Sequence, residues 1–259
     1  MTNDTPIAPP TEVVKFGSSV LRTDADVPRT ATEIKRRVLS GARVVAVISA
    51  FRGRTDELVS LANRVGGRTR SRSALLALGE LESATAVAIA LERLGLNVEL
   101  IAGDRCIVAT GDPEESEPVG VDTGEIAAAL GAGRVVVVPG YGARDPSGAA
   151  VVLGRGGSDL TAITLASALN ARAVLLKATG AVFEWDPGEQ GPTPGRFEWL
   201  SFEDALSLGD RVLQPRAVEY ARRVRTPFEV SGLGTTTTSS TLVHDGPTRV
   251  RDDIEQSHR

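Results

Sequence analysis

Three glycines bracket an arginine in LGRGGSDLTA, residues 153–162, and Ser158 and Asp159 follow where a helical pattern begins. Gly154, Gly156 and Gly157 let successive backbone N–H groups face one point, and a helix N-terminus favours negative charge. Arg155 adds a fixed cation. This stretch suits capture of a phosphate or a carboxylate; the plainer alternative is a glycine-rich turn with a helix cap. KFGSSVL, residues 15–21, is a second such place. Lys15 closes an apolar run, Gly17 lets the backbone approach a ligand, and Ser18 and Ser19 offer hydroxyls. It is not the G-x-x-x-x-G-K-[ST] of a Walker loop. Neither GRGGSD nor GLG at 232–234 follows the dinucleotide-binding pattern.

Two further segments carry polar groups at apolar boundaries. In SAFRGRTDEL, residues 49–58, Ser49 ends an apolar run, and Thr55 and Asp56 suit a helix cap or a ligand. In ALGELESA, Gly79, Glu80 and Glu82 interrupt a helical apolar pattern. Glycine inside a helix costs about 1 kcal/mol relative to alanine, so Gly79 marks close packing or ligand approach. Glu82 reads as a solvated helix face.

Other chemistries are excluded by what is scarce. The two histidines, His244 and His258, both fall in HDGPTRVRDDIEQSHR, which reads as a polar tail. A Ser-His-Asp hydrolase or a His-ligated zinc site needs histidine held inside the fold. The single cysteine, Cys106, permits no internal disulfide. Catalysis would rest on Lys, Arg, Asp, Glu, Ser, Thr and the backbone, and no protein metal site is expected.

These groups need elements to hold them. Short β-branched runs at 12–16, 43–49, 97–101, 134–139 and 173–177 predict buried strands, with weaker candidates at 227–230 and 240–243. Helical patterns lie at 28–39, 73–94, 122–131, 159–169, 202–208 and 214–224, the second ending at Gly95. Strand and helix alternate, which predicts a mostly parallel sheet covered on both faces. Ligands of such sheets bind beyond the carboxyl ends of the strands, where the segments above fall. The Gly/Pro-rich run 186–197 is expected to border that site.

With 259 residues, 41% of them hydrophobic but only 4% aromatic, the chain can build one large domain or two lobes around an aliphatic core. A net charge of −4 gives no general pull toward nucleic acid. No apolar run is read as approaching the roughly 20 residues of a membrane span. MTNDTPIAPPTE lacks the features of a signal peptide, so a cytoplasmic protein without membrane partners is expected.

Taken in order, the segments resemble the catalytic domain of aspartate kinases, in the amino acid kinase family. VVKFGSSVL resembles that family's KFGGTSV opening, VVAVISAFRGRTDEL its VVVVSAMSGVTDLL, and LGELESA its GERLSA. The run from VVPGYGARD through LGRGGSDLTA resembles the segment from the PGF loop into LGRGGSDTTAA. LSFEDALSLGDRVLQPRAVEYAR resembles ISYEEALELASLGAKVLHPRAVE. The likeness covers roughly residues 13–243.

The resemblance implies a three-layer αβα sandwich that transfers the γ-phosphoryl of Mg-ATP to the side-chain carboxylate of aspartate. Its domain would run over 13–243, with an amino-acid lobe at about 13–145 and a nucleotide lobe at about 146–243. Residues 1–12 would be disordered and 244–259 a polar tail. Lys15 would bridge the phosphates, Gly17 and Ser18 would donate backbone bonds to them, and Asp159 would orient Lys15 or the metal–phosphate end. Ser49, Thr55, Glu80 and Arg155 would hold the amino acid, Glu80 its ammonium and Arg155 a carboxylate. Gly156, Gly157, Ser158, Lys177, Phe183 and Arg211 would serve the nucleotide. The partners implied are an amino acid and a nucleotide, with a homo-oligomer allowed.

The chain also departs from that pattern. KATGAVFEWDP, residues 177–187, stands for TDVDGVYTADP, so Lys177 replaces a threonine and Ala178 and Gly180 replace two aspartates. Arg211 replaces a lysine, Gln214 a histidine and Leu81 an arginine. The chain ends without the family's regulatory ACT domains, so feedback through them is not expected. A second reading follows: a degenerate kinase fold that binds ligands without turnover.

Overall fold

The computed structural model describes residues 9–66, 70–188, 194–209, 213–235 and 239–251. Its centre is a run of parallel strands: β1 (Thr11–Phe16), β2 (Arg43–Ile48), β3 (Val98–Leu100), β6 (Val135–Pro139), β9 (Arg172–Leu176) and β11 (Phe228–Ser231). With β10 (Arg196–Ser201), β12 (Thr241–His244) and β13 (Arg249–Arg251) they form a nine-stranded sheet ordered β13-β10-β12-β11-β9-β1-β2-β6-β3. A separate four-stranded sheet, ordered β5-β4-β7-β8, joins β4 (Ile107–Thr110), β5 (Glu117–Val121), β7 (Gly142–Arg144) and β8 (Ala150–Val152).

Alternation along the strands divides the interior in two. Val13, Val45, Val47, Val136 and Val138 face α5 (Gly124–Gly131), α6 (Gly157–Leu169), α7 (Phe202–Ser207) and α8 (Pro215–Arg223). Val14, Phe16, Ala46, Ile48 and Val137 face α1 (Val27–Leu39) and α3 (Arg70–Arg93). The result is the expected αβα layering with an aliphatic core. The same alternation turns Lys15, next after Val14, toward the α6 layer.

Several local expectations are corrected. β1 begins at Thr11, because Thr11 and Glu12 pair with Arg43 and Val44; part of the stretch read as disordered is therefore strand. His244 closes β12 rather than opening a tail. Its ring meets Trp199 edge-on at 6.1 Å, and its Nδ1 accepts a bond from the Gly246 N–H. β13 then pairs antiparallel with β10, with Arg249 lying 5.4 Å from the Trp199 ring centre. Charged residues suit such an edge strand, which is why the segment looks like a solvated tail in sequence. His258 lies outside the described residues.

α3 is long and apolar enough, by length and composition, to span a bilayer, contrary to the reading of the sequence. It instead packs Ala84, Val87, Ala88 and Leu91 into the core and carries the polar pair Glu80 and Glu82, as a central helix of a folded domain does. The helix α2 (Arg54–Val65) shows in the sequence only through the cap candidates Thr55 and Asp56, and the four-stranded sheet is not predicted at all. α2 is capped by Gly53 at φ +82° rather than by a side chain, and the strands of the small sheet run only three to five residues.

Candidate active site

β1 sends its chain to β2 on one side and pairs with β9 on the other, so the loops after β1 and β9 open a crevice at their carboxyl ends. Lys15 is the last-but-one residue of β1 and Lys177 follows β9. Both turn toward α6. Asp159, in the first turn of that helix, receives them: Lys15 Nζ is 2.5 Å from Oδ1 and Lys177 Nζ is 3.1 Å from Oδ2. Burial by itself would raise the Asp159 carboxyl, but the two ammonium groups outweigh it and hold the group well below the usual carboxylate range. Burial lowers Lys15, with Asp159 opposing and Lys177 reinforcing the shift.

The α6 N-terminus forms differently from a side-chain cap. Gly156, at φ +78°, precedes the first helical residue, so neither Ser158 nor Asp159 is needed to cap the helix. Both side chains are thereby released for other partners. Ser158 Oγ donates to Glu80 Oε1 at 2.6 Å across to α3. Glu80 is 5% exposed, and burial pushes its carboxyl up to about 7 against the Ser158 bond, Lys15 and the Ala50 and Gly140 amides. Its Oε2 is buried without a well-formed hydrogen bond among the described residues.

A cleft of about 500 Å³ opens beside this cluster, lined among others by Lys15, Gly17, Ser18, Lys177, Phe183 and Gln214. A Cβ at Gly17 would lie 2.8 Å from Lys15 Nζ, so glycine there leaves the ammonium its place. Asp186 and Pro187 border the cleft, as the Gly/Pro-rich run suggests, and Trp185 joins them. Ser19 ties the two loops together by accepting the Ala178 N–H at 3.3 Å.

The remaining predicted residues are placed as follows. Ser49 is buried beyond β2, its carbonyl accepting from Ser83 Oγ. Thr55 is half-buried in the first turn of α2. Gly79 lets α3 meet α2, since a Cβ there would sit 3.1 Å from Leu58. Glu82 is an exposed partner of Arg54, as expected of a solvated face. Arg155 is exposed on the turn before α6. Gly157 makes room for Tyr141, whose ring a Cβ would approach to 2.8 Å. Arg211 lies outside the described residues. The Ser158–Glu80 bond and the part of Tyr141 leave no mark in sequence, since their partners are distant along the chain. Among the described residues no group of three His, Cys, Asp or Glu side chains could hold a metal.

A match to the amino acid kinase family spans residues 10–230. The chain belongs to the amino acid kinase family. The Pseudomonas aeruginosa aspartokinase is 33% identical over 225 residues, which is 84% of this chain and 54% of that protein. The chain thus spans about half the length of the curated relatives it matches. The aspartate kinase of Synechocystis superposes with a TM-score of 0.78 at 30% identity, over 94% of this chain and 41% of the other. The fold also matches E. coli aspartokinase III in complex with aspartate and ADP, at TM-score 0.76 and 22% identity, over 92% and 65% of the two chains.

Proposed function

We propose that this chain is an ATP-dependent kinase that phosphorylates the side-chain carboxylate of L-aspartate, or of a closely related small amino acid, to an acyl phosphate. The observation that carries this reading is that two lysines lining the cleft, Lys15 and Lys177, share one buried carboxylate, Asp159. The aspartokinase relatives support the choice of acceptor.

Phosphoryl transfer asks a protein for positioning and charge neutralisation more than for covalent chemistry. A carboxylate oxygen of the acceptor attacks the γ-phosphorus, and the bond to the ADP oxygen breaks as the new P–O bond forms. The acceptor is already an anion at neutral pH, so no base removes a proton. Lys15 neutralises charge on the transferring group, while Lys177 faces the phosphates from the β9 side. Asp159 pairs with both ammonium groups, one on each carboxylate oxygen, and so fixes where they point. Gly17 and Ser18 supply backbone donors at the same end.

Glu80 and Arg155 hold the acceptor. The Oε2 of Glu80 offers a buried acceptor for an α-ammonium, and the Arg155 fork suits a carboxylate. Thr55 and Ser49 would add polar groups for the same acceptor. Phe183 offers an apolar face to the base. Magnesium fits as a companion of the triphosphate and not of a protein cage: Asp159 is occupied by two lysines, and such ions commonly keep phosphate and water ligands. When bound, it neutralises phosphate oxygens.

The test is purified protein with Mg-ATP, L-aspartate and hydroxylamine. Hydroxamate formation that needs both substrates is the expected result. Nucleotide binding without hydroxamate from aspartate or its analogues would instead assign the chain to the ligand-binding reading without turnover.

A further inference from the structure

Arg155 stands between two glycines, and each is crowded by a side chain from one short segment. A Cβ at Gly154 would lie 2.7 Å from Arg216 Nη1, and one at Gly156 would lie 2.6 Å from Gln214 Cβ. Both glycines adopt positive φ, +70° and +78°. Gln214 and Arg216 flank Pro215 at the start of α8, so they close on the loop from either side of Arg155.

Arg216 also bonds across three chain positions. Its Nη1 donates to the Leu153 carbonyl at 2.8 Å, and its Nη2 reaches the Ser116 and Glu115 carbonyls at 3.2 and 3.3 Å. These belong to the residue that enters the glycine loop and to the turn between β4 and β5. The two segments are already joined by backbone bonds, Ser116 N–H to Val152 O and Val152 N–H to Pro113 O. A planar guanidinium can serve carbonyls on both segments at once, which an ammonium cannot match.

We propose that Arg216 is a positioning residue of the acceptor site. With Gln214 it clamps the 153–157 loop to the 112–116 turn and fixes where Arg155 presents its guanidinium. The inference rests on the reading of Arg155 as the holder of the acceptor carboxylate. Because Gln214 also lines the cleft beside Lys15, the clamp links the acceptor loop to the nucleotide side of the site.

The test compares wild type, Arg216→Gln and Arg216→Lys by hydrogen–deuterium exchange and steady-state kinetics. In R216Q, exchange should rise in peptides covering 112–116 and 153–157, while peptides of β1, β2 and α3 keep wild-type protection. The KM for aspartate should rise about tenfold and that for ATP stay within about twofold, with R216K between the two. A uniform rise in exchange, unchanged exchange in both segments, or equal rises in both KM values would overturn the proposal. If R216Q does not fold, R216K decides by the same local-against-global pattern. If the wild-type protein forms no hydroxamate, the kinase reading fails by itself, and the exchange pattern still decides the clamp.

Discussion

The Lys15 ammonium rests 2.5 Å from the Asp159 carboxylate, and both side chains are buried. Breaking a buried pair by removing one partner leaves the other charge uncompensated, at a cost of about 3–5 kcal/mol. Asp159→Asn leaves two lysines facing each other without an anion and should lose stability of that order in urea unfolding at pH 7. Lys15→Ala keeps Asp159 paired with Lys177, so the fold should survive. Turnover should fall roughly 10²–10³-fold with the loss of one group aimed at the transferring phosphoryl. Near-wild-type kcat in a folded Lys15→Ala protein would remove Lys15 from the mechanism.

Glu80 should give the ligand-free protein a distinctive pH dependence. Its folded-state value of about 7 lies above the ordinary 4.5, so the native state binds the proton more tightly than the unfolded chain. Between these values the native state carries more protons, and Glu80's contribution to stability falls as pH rises. Glu80→Gln removes that slope. The variant should therefore gain on wild type between pH 5 and 7.5, by up to about 3 kcal/mol. Parallel unfolding profiles for the two proteins would show that the carboxyl titrates normally. An acceptor ammonium would favour the ionised form, so wild-type acceptor affinity should strengthen over the same range.

How much of this was legible in sequence depends on separation along the chain. Lys15, Lys177 and Asp159 could be found because each falls where an apolar run ends or a helix begins, and parallel α/β sheets gather such points at one edge. The alternation Val13–Val14–Lys15 even fixes which face the ammonium takes. The Ser158–Glu80 bond spans 78 residues, and the Arg216 contacts span 63 to 101, so no local spacing reveals them. The glycines were legible as a loop but not in their purpose: Gly154 and Gly156 yield space to Arg216 and Gln214. His244 was misplaced because a charged edge strand and a solvated tail share one composition.

Arg155→Lys tests the acceptor side. A lysine keeps the charge but loses the planar fork that two carboxylate oxygens can accept from. The KM for the amino acid should rise about tenfold, with the KM for ATP changing little. An unchanged amino-acid KM would make Arg155 part of the turn only.

Lys177, the second partner of Asp159, gives the last prediction. The motif that residues 177–187 resemble would carry a threonine at Lys177, at the mouth of β9, and aspartates at Ala178 and Gly180. A triphosphate entering the cleft thus meets one more positive charge and lacks two carboxylates that could read ribose or base. Phosphate attraction should be strong and base discrimination weak, since the Phe183 ring presents an apolar face to any purine. ATP and GTP should bind with similar Kd by calorimetry. Lys177→Thr should weaken both by roughly ten- to a hundredfold, the value of about 1.5–3 kcal/mol for a hydrogen bond to a charged group. The ratio between the two nucleotides should not move, because the lost contact is to phosphate. Strong ATP selectivity that persists in Lys177→Thr would show that the base is read elsewhere in the cleft. Unchanged affinity for both would show that Lys177 serves only as a second partner of Asp159.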